Sequence, residues 1–418
     1  MVGASRIEPM PTPRVYMDHA ATTDMLPEAV EAYVAQAQRG GNPASLHSGG
    51  RSARMALETG RDSVAAALNA EPVEIILTSG GTEADNMAVL GLFRAARDAD
   101  PRRTVIALST VEHHAVSEAA EWLAAHEGAE LAWLEVDADG RVDPDDLREL
   151  LDRRGDELAL VTVMWANNEV GTVQPIAELA ALCDRAGVSF HVDAVQAFCA
   201  VPVDAHLPGI STLAVSAHKL GGPMGVGALY APRTVTLAAT SFGGGQERSV
   251  RSGTVNAAGA AAFGAAVHAA QRDAHAEFVR RARLRDTLVA GIRERVPQAV
   301  LRGPEPGAPE DEWAHPTRLP GNAHFTFPGC EGDSMLFLFD AAGVALSTGS
   351  ACNAGVPRAS HVLLAIGVPE ETARGAQRFS LGHSSTPDDV AAVLAAVAEV
   401  YDRAHTAGLS GHVPGFAS

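Results

Sequence analysis

The chain has 418 residues, of which 46% are hydrophobic and 20% charged, as in a soluble globular protein with room for two or three domains. It carries 51 acidic against 32 basic residues, a net charge of −19, and an acidic surface repels phosphate backbones, so we expect no nucleic-acid partner. No stretch approaches the roughly 18 to 20 apolar residues of a membrane span, and Met1 to Arg14 lacks an apolar core. We therefore expect a cytoplasmic protein without membrane contact.

The first two thirds of the chain alternate short apolar runs with alanine-rich amphipathic segments. This alternation, from about residue 28 to 230, predicts an α/β domain with a mainly parallel sheet flanked by helices. Strands are predicted at Ile75–Leu77, Val105–Leu108, Leu158–Met164 and Val188–Val192, and helices at Ala53–Leu68 and Pro175–Ala186.

The last third of the chain changes character. An almost unbroken helical pattern from Ala257 to about Val296 predicts a long connector, and Gly303 to Gly321, rich in Pro, Gly and acidic residues, predicts an exposed loop. Apolar runs at His324–Phe327, Met335–Phe339 and Val344–Ser347, followed by helices near His361–Ile366 and Asp388–Arg403, predict a smaller α+β domain. The predicted division is 26–275 for the large domain, and 1–25 with 276–418 for the small one.

Ligands of parallel sheets collect at the carboxyl ends of the strands, and the polar motifs of this chain fall there. Gly81 and Thr82 follow a strand and open a helix, where backbone N–H groups and a hydroxyl can hold a phosphate. An ordinary glycine turn with Thr82 as the helix cap explains the same residues.

Lys219 ends the run Val215-Ser216-Ala217-His218-Lys219, and Asp193 ends an earlier strand. A lysine at a tight turn can form an imine with pyridoxal phosphate, whose ring nitrogen then needs an acid and whose phosphate needs donors such as Ser216 and His218. Taken alone, a lysine after a strand is more often a solvated charge, and an aspartate at a strand end is more often a turn residue.

Three further residues suit a flat, polar cofactor. The ring of His113 can stack on it, and the amides of Asn168 and Gln196 can meet a phenolic oxygen. A partly buried structural histidine and ordinary turn hydrogen bonding are the alternatives.

Four cysteines in a chain of this length do not form a disulfide framework, and no C-x-x-C pair indicates a metal site. Small residues surround Cys352 on both sides, which favours an exposed, reactive thiol, whereas Cys183 and Cys199 have structural settings and Cys330 is ambiguous. Arg378 lies on a short apolar strand and needs an anion, either a ligand carboxylate or an internal Asp or Glu.

Together these residues resemble the NifS/IscS-type cysteine desulfurases of the class V aminotransferase family, which depend on pyridoxal phosphate. The resemblance covers nearly the whole chain. It is carried by Tyr16 to Thr23, Gly41 to Ser45, Thr78 to Asn86, Asn167 to Gly171, His191 to Gln196, Ser216 to Lys219, Gly243 to Arg248, Arg251 to Thr254, Ser350 to Cys352 and Arg378 to Gly382.

The resemblance implies a fold-type I homodimer of pyridoxal-phosphate-dependent transferases. Lys219 would be the Schiff-base lysine, Asp193 would bind the ring nitrogen, and His113 would stack on the ring. The remaining implied cofactor-binding residues are Asn168 and Gln196 at the ring hydroxyl, and Gly81, Thr82, Ser216, His218 and the partner subunit's Thr254 at the phosphate.

The resemblance also implies the reaction. Arg378, with Asn42 and Asn168, would bind L-cysteine, and Cys352, in a loop of the long type, would take its sulfur as a persulfide and release L-alanine. The sulfur would pass to an acceptor protein for iron–sulfur cluster assembly, tRNA thiolation or a specialised pathway. The long segment Gly303 to Gly321, and His383 where some members carry arginine, depart from the family pattern.

Two alternatives stay open. A selenocysteine lyase or another class V enzyme would share the same cofactor residues. An inactive scaffold for sulfur-transfer proteins is the alternative of another class, although such a scaffold should have lost Lys219 or Cys352, and this chain has both.

Overall fold

The computed structural model describes residues 15–349 and 359–411. The expectations for Met1 to Arg14 and for Cys352 concern residues outside these ranges. The strands are β1 (Val15–Tyr16), β2 (Ile75–Thr78), β3 (Val105–Ser109), β4 (Glu130–Leu134), β5 (Leu158–Thr162), β6 (Ser189–Asp193), β7 (Ile210–Ser216), β8 (Gly227–Tyr230), β9 (Val300–Arg302), β10 (Asn322–Thr326), β11 (Val344–Ala345) and β12 (Ala376–Ser380). The helices are α1 (Pro27–Arg39), α2 (Ser48–Ala67), α3 (Gly81–Ala99), α4 (His114–Glu127), α5 (Pro144–Arg154), α6 (Ile176–Ala186), α7 (Ala257–Arg272), α8 (Ala274–Arg295), α9 (Gly332–Ala341), α10 (His361–Ala365), α11 (Glu370–Ala373) and α12 (Pro387–Gly411).

The central sheet has seven strands in the order β2-β8-β7-β6-β5-β3-β4. Strands β7, β6, β5, β3 and β4 are parallel, and β8 runs antiparallel to both of its neighbours. Strands β3 and β5 are buried at every residue, as expected for parallel strands covered by helices on both faces. The predicted α/β class with a mainly parallel sheet is confirmed.

A second, smaller sheet lies beyond this layer, with strand order β12-β10-β9 and antiparallel pairing. Its apolar face packs against α8, α9 and α12 around Phe325, Phe339 and Phe379, which are fully buried. The short pair β1–β11 joins the beginning of the described chain to this region. The predicted domain boundaries at residues 25 and 275 stay predictions.

Three local features refine the expectations from sequence. The apolar run Met335–Phe339 lies within helix α9, because a short apolar run does not distinguish a strand from a buried helix. The helical pattern from Ala257 to Val296 is interrupted at Asp273, whose backbone leaves the helical region. The segment from Gly303 to Gly321 is irregular as predicted, but it ends buried, since Arg318 donates to the carbonyls of Pro304 and Arg302.

No helix within the described ranges is both long enough and apolar enough to cross a membrane.

Candidate active site

The carboxyl ends of four strands of the central sheet, β2, β5, β6 and β7, open onto one cavity of about 360 Å³. Side chains from β12, from the N-terminal segment and from α10 close its other side. The residues predicted from sequence that line this cavity are Gly81, Thr82, His113, Asn168, Asp193, Gln196, Ser216, His218, Lys219 and Arg378.

The cavity contains a cradle for an anion. Gly81 begins α3 and packs so closely against Val195 that a Cβ atom built on it would lie 2.6 Å from the valine methyl group. Ser216, at the end of β7, is buried, and its hydroxyl has no hydrogen-bond partner. Because a buried polar group without a partner is costly, an unpaired hydroxyl beside a helix N-terminus fits a bound phosphate. The residues present therefore fit the phosphate of the expected cofactor.

Lys219 is held at the edge of the cavity by the N-terminal segment. Its Nζ donates to the carbonyl oxygens of Ala20 at 2.6 Å and Ala21 at 2.9 Å. Burial, together with the charge of Arg378, lowers the pKa of Lys219 to about 8, although Asp193 and Asp18 act in the opposite direction. The amine is thus much closer to its neutral, nucleophilic form at neutral pH than an exposed lysine.

Asp193 lies at the end of β6, almost fully buried, where it accepts a hydrogen bond from the backbone of Val195 at 2.9 Å. Burial raises the pKa of Asp193, while His113 and Lys219 oppose that rise. A cationic group placed beside this carboxylate would stabilise its ionised form, as a protonated pyridine nitrogen does.

His113 caps α4, and its Nδ1 accepts from the backbone N–H of Ala115 at 3.1 Å. Partial desolvation by the surrounding residues lowers the pKa of His113, although the residue keeps an exposed surface toward the cavity. The ring is therefore neutral and oriented, as a stacking partner requires.

Asn168 and Gln196 line the cavity from neighbouring strand ends, and the Asn168 backbone and the Gln196 side chain each make a hydrogen bond there. The carbonyl of Asn168 accepts from Arg378 at 2.9 Å, and Gln196 donates to the carbonyl of Ala20 at 2.9 Å. His218 makes a 3.2 Å contact with the hydroxyl of Thr22. These bonds connect the N-terminal segment to the floor of the cavity.

Arg378 combines an internal partner with free capacity. One terminal nitrogen donates to the carboxylate of Asp18 at 2.9 Å, while the Nε is buried without a partner. The internal anion proposed as the alternative from sequence is therefore present. The unpaired Nε leaves room for a second anion in the cavity.

Two predicted residues lie away from this cavity. Asn42 is exposed and accepts from the backbone of Ala44, and Thr254 is exposed on the segment before α7. Cys352 lies outside the described residues, so its role stays a prediction.

The cysteines within the described ranges are poor nucleophiles. Burial raises the pKa of Cys183 and Cys199 to about 12 and that of Cys330 to about 11. A thiol that stays protonated does not attack readily. This agrees with the structural settings predicted for Cys183 and Cys199 and assigns Cys330 to the same class.

Two features of the site were not used in the predictions from sequence, the uniqueness of Lys219 and the position of Glu169. Lys219 is the only lysine in the chain, so it was identifiable as the only side-chain amine able to form an imine. Glu169, next to Asn168, is a buried carboxyl that lines the cavity, and the run Asn167-Asn168-Glu169 gave its position but no reason to separate it from an ordinary turn residue.

Comparisons with known proteins agree with this geometry. The family model for class V aminotransferases matches residues 15–393. An IscS-like cysteine desulfurase of Mycobacterium tuberculosis is 48% identical over 395 residues, covering 94% of this chain and 98% of the relative. A solved NifS-like protein superposes with a TM-score of 0.83 at 30% identity, covering 93% of this chain and all of the other. A structure described as SspA in complex with cysteine superposes with a TM-score of 0.74 at 29% identity, covering 89% of this chain and all of the other.

Proposed function

Because the chain belongs to the class V aminotransferase family, we propose that its cavity is the active site of a pyridoxal-phosphate-dependent cysteine desulfurase. The activity and the cofactor follow from the likeness to cysteine desulfurases over nearly the whole chain. The single observation that carries the proposal is the convergence of the only lysine, a buried aspartate and an unpaired serine hydroxyl on one cavity. The roles given to individual residues are our own.

The strand ends would hold the cofactor. The N-terminus of α3 with Thr82, the hydroxyl of Ser216 and the ring of His218 would bind its phosphate, while Asp193 would pair with the ring nitrogen and His113 would cover the ring. Lys219 would attach it covalently. When bound, pyridoxal phosphate draws electrons from the amino acid and so weakens the bond between Cβ and sulfur.

Substrate recognition and sulfur removal would use the opposite side of the cavity. Arg378 would bind the carboxylate of L-cysteine through the capacity that Asp18 leaves free. The Cys352 thiolate would attack the substrate sulfur, so that an S–S bond forms as the Cβ–S bond breaks, and the carbon skeleton would leave as L-alanine. The resulting persulfide would then pass its outer sulfur to an acceptor protein. We place this chemistry in the cytoplasm, where a catalytic thiol stays reduced.

We further propose that two copies of the chain form the working enzyme. Thr254 does not line the cavity of its own chain. The segment that carries it is fixed in place, because the carboxylate of Glu247 accepts two bonds from Arg61, at 2.7 and 2.8 Å, and one from the backbone of Leu77 at 2.9 Å. Arg251 is tied to Glu83 in the same way at 2.9 Å. A polar segment fixed in this way supports the proposal that Thr254 contacts the phosphate of the cofactor bound in the partner subunit. Large apolar side chains left exposed on one chain, which a second copy could cover, are Leu46, Met55, Met224 and Phe242.

Product analysis tests the proposed activity. Protein loaded with pyridoxal phosphate should convert L-cysteine, in the presence of a reductant, into equal amounts of L-alanine and sulfide, and should release neither from L-serine. Parallel assays with L-selenocysteine test the selenocysteine lyase alternative, because they compare turnover of the two substrates. Absence of alanine from L-cysteine would refute the desulfurase, and a bound cofactor without any turnover would favour the inactive scaffold.

A further inference from the structure

Glu169 has no part in the chemistry proposed above, yet it lies in the wall of the same cavity. Its side chain is only 3% exposed. Its backbone is held by two hydrogen bonds, because the N–H of Glu169 donates to Asn167 Oδ1 at 2.9 Å and the carbonyl of Glu169 accepts from Asn322 at 2.9 Å. A carboxyl fixed in a buried wall needs partners of its own.

One partner lies on the C-terminal flank of the segment that carries Cys352. The hydroxyl of Ser360 donates to Glu169 Oε2 at 2.5 Å. The same hydroxyl accepts from the backbone of Leu363 at 3.2 Å and so caps α10. Ser360 is also only 3% exposed, so this buried bond fixes the beginning of α10 against the wall of the cavity.

The N-terminal flank of the segment approaches the same oxygen. Gly349 has φ +88°, and a Cβ atom built on it would lie 3.5 Å from Glu169 Oε2 and 2.9 Å from the ring of His324. Just before it, the backbone of Ser347 pairs with that of Arg378. Gly349 and Ser360, which stand before and after the segment that carries Cys352, therefore both lie next to one carboxyl group, beside the arginine proposed to bind the substrate.

From this juxtaposition we propose that Glu169 is a positioning residue for sulfur transfer, which supports the action of Cys352 by anchoring Ser360 after its segment and by lying beside Gly349 before it. The proposal rests on the function given to Cys352 above. It assigns Glu169 no contact with the cofactor or the reacting sulfur. Loss of the carboxyl should therefore slow persulfide formation while cofactor and L-cysteine still bind.

The groups around Glu169 give the link a pH dependence. Burial raises the pKa of Glu169 to about 7, and the Ser360 hydroxyl on α10, Arg378 on β12 and His114 on α4 oppose that rise. His324 on β10 packs at the Gly349 flank and is neutral, since burial lowers its pKa to about 3. Above about pH 7 the carboxylate accepts fully from Ser360, and below it the added proton weakens this bond. The link should strengthen as pH rises through 7.

The test compares four variants in loaded enzyme: Glu169→Ala and Ser360→Ala, which remove the bond, and Glu169→Gln and Ser360→Thr, which keep an acceptor or a hydroxyl. Persulfide on Cys352 is measured by mass spectrometry after a single turnover, and L-cysteine binding by the change in cofactor absorbance. We expect the alanine variants to form persulfide at least about tenfold more slowly with unchanged binding. Ser360→Thr should restore most of the rate, and Glu169→Gln should restore part of it while losing the rise through pH 7.

Alkylation of Cys352 in resting enzyme gives a readout that does not depend on turnover. Its rate should change in Glu169→Ala and Ser360→Ala but not in Asp143→Ala, which removes the cap of the remote helix α5. Wild-type rates of both alkylation and persulfide formation in the alanine variants would overturn the proposal, as would loss of cofactor binding. If Glu169→Ala does not fold, the comparison of Ser360→Ala with Ser360→Thr tests the proposal instead. Failure of the wild type itself to form persulfide would count against the proposed function, while the alkylation rates would still test the role of Glu169.

Discussion

The cofactor side of the cavity and its thiol side are built on different principles. On the cofactor side, Gly81, Asp193 and Ser216 stand at the ends of strands in one sheet, so neighbouring backbones place them. On the thiol side, segments far apart in the chain are joined by polar side-chain contacts such as Arg378 to Asp18 and Ser360 to Glu169. We therefore expect substitutions on the thiol side to impair turnover while the cofactor stays bound. Substitutions on the cofactor side should impair turnover and also release the cofactor.

The largest effect is expected from Lys219→Ala, which removes the only side-chain amine of the chain. The variant should lose the yellow colour of bound cofactor and all measurable desulfurase activity, because no other lysine can replace it. In the wild type, borohydride reduction should attach the cofactor to a single peptide, identified by mass spectrometry. Attachment at the N-terminal amine instead would contradict the assignment.

Cys352→Ser should separate the two sides of the cavity most cleanly. Cofactor should remain and L-cysteine should still alter its absorbance, but sulfide release should fall almost to zero, because the three other thiols are held protonated. Cys330→Ser is the matched control and should keep wild-type activity. Undiminished sulfide release from Cys352→Ser would show that another thiol takes the sulfur.

Arg378→Ala should weaken capture of L-cysteine with full cofactor occupancy. Loss of a charged, partly buried contact costs about 2 to 5 kcal/mol, so KM should rise at least about tenfold. Titration of the absorbance change with L-cysteine measures this directly. An unchanged substrate constant would reduce Arg378 to the internal partner of Asp18.

Mixed dimers test whether the cofactor side is completed by a second subunit. Lys219→Ala and Thr254→Asp should each be impaired as homodimers, the second because a carboxylate would face a phosphate. If Thr254 acts in the partner's site, a mixed dimer collects both lesions in one site and leaves the other intact, and about half of the activity per dimer returns. Lack of recovery would place Thr254 in its own site.

The smallest effect concerns the influence of the thiol side on the pKa of Lys219. Uptake of pyridoxal phosphate by the apoprotein requires the neutral amine, so its rate should rise with pH and level off above about 8. Asp18→Asn removes a charge that raises this pKa, so the midpoint should move below about 8 and uptake at pH 7 should become a few-fold faster. The control Asp62→Asn, on the surface of α2, should leave the midpoint unchanged. An unshifted midpoint in Asp18→Asn would show that the two sides of the cavity are electrostatically independent.

The α/β class, the strand ends and several residues that meet there could be predicted from the sequence. Period and composition are local properties, and parallel strands bring their carboxyl ends to one edge whatever the rest of the chain does. For that reason Lys219, Asp193, Ser216 and Gly81 were predicted correctly as neighbours. The short apolar run Met335–Phe339 did not reveal the helix in which it lies, because local pattern does not encode which surface covers it.

The pairs that join distant segments could not be predicted from the sequence, because they depend on how the chain folds in three dimensions. Asp18 and Arg378 are 360 positions apart, and Glu169 and Ser360 are 191 apart, so no periodicity or spacing relates them. The raised pKa of Glu169 and the lowered pKa of Lys219 arise chiefly from burial, which exists only after the segments have packed together. The sequence gives the chemical type of each residue, but the partner of that residue and its degree of burial depend on long-range packing.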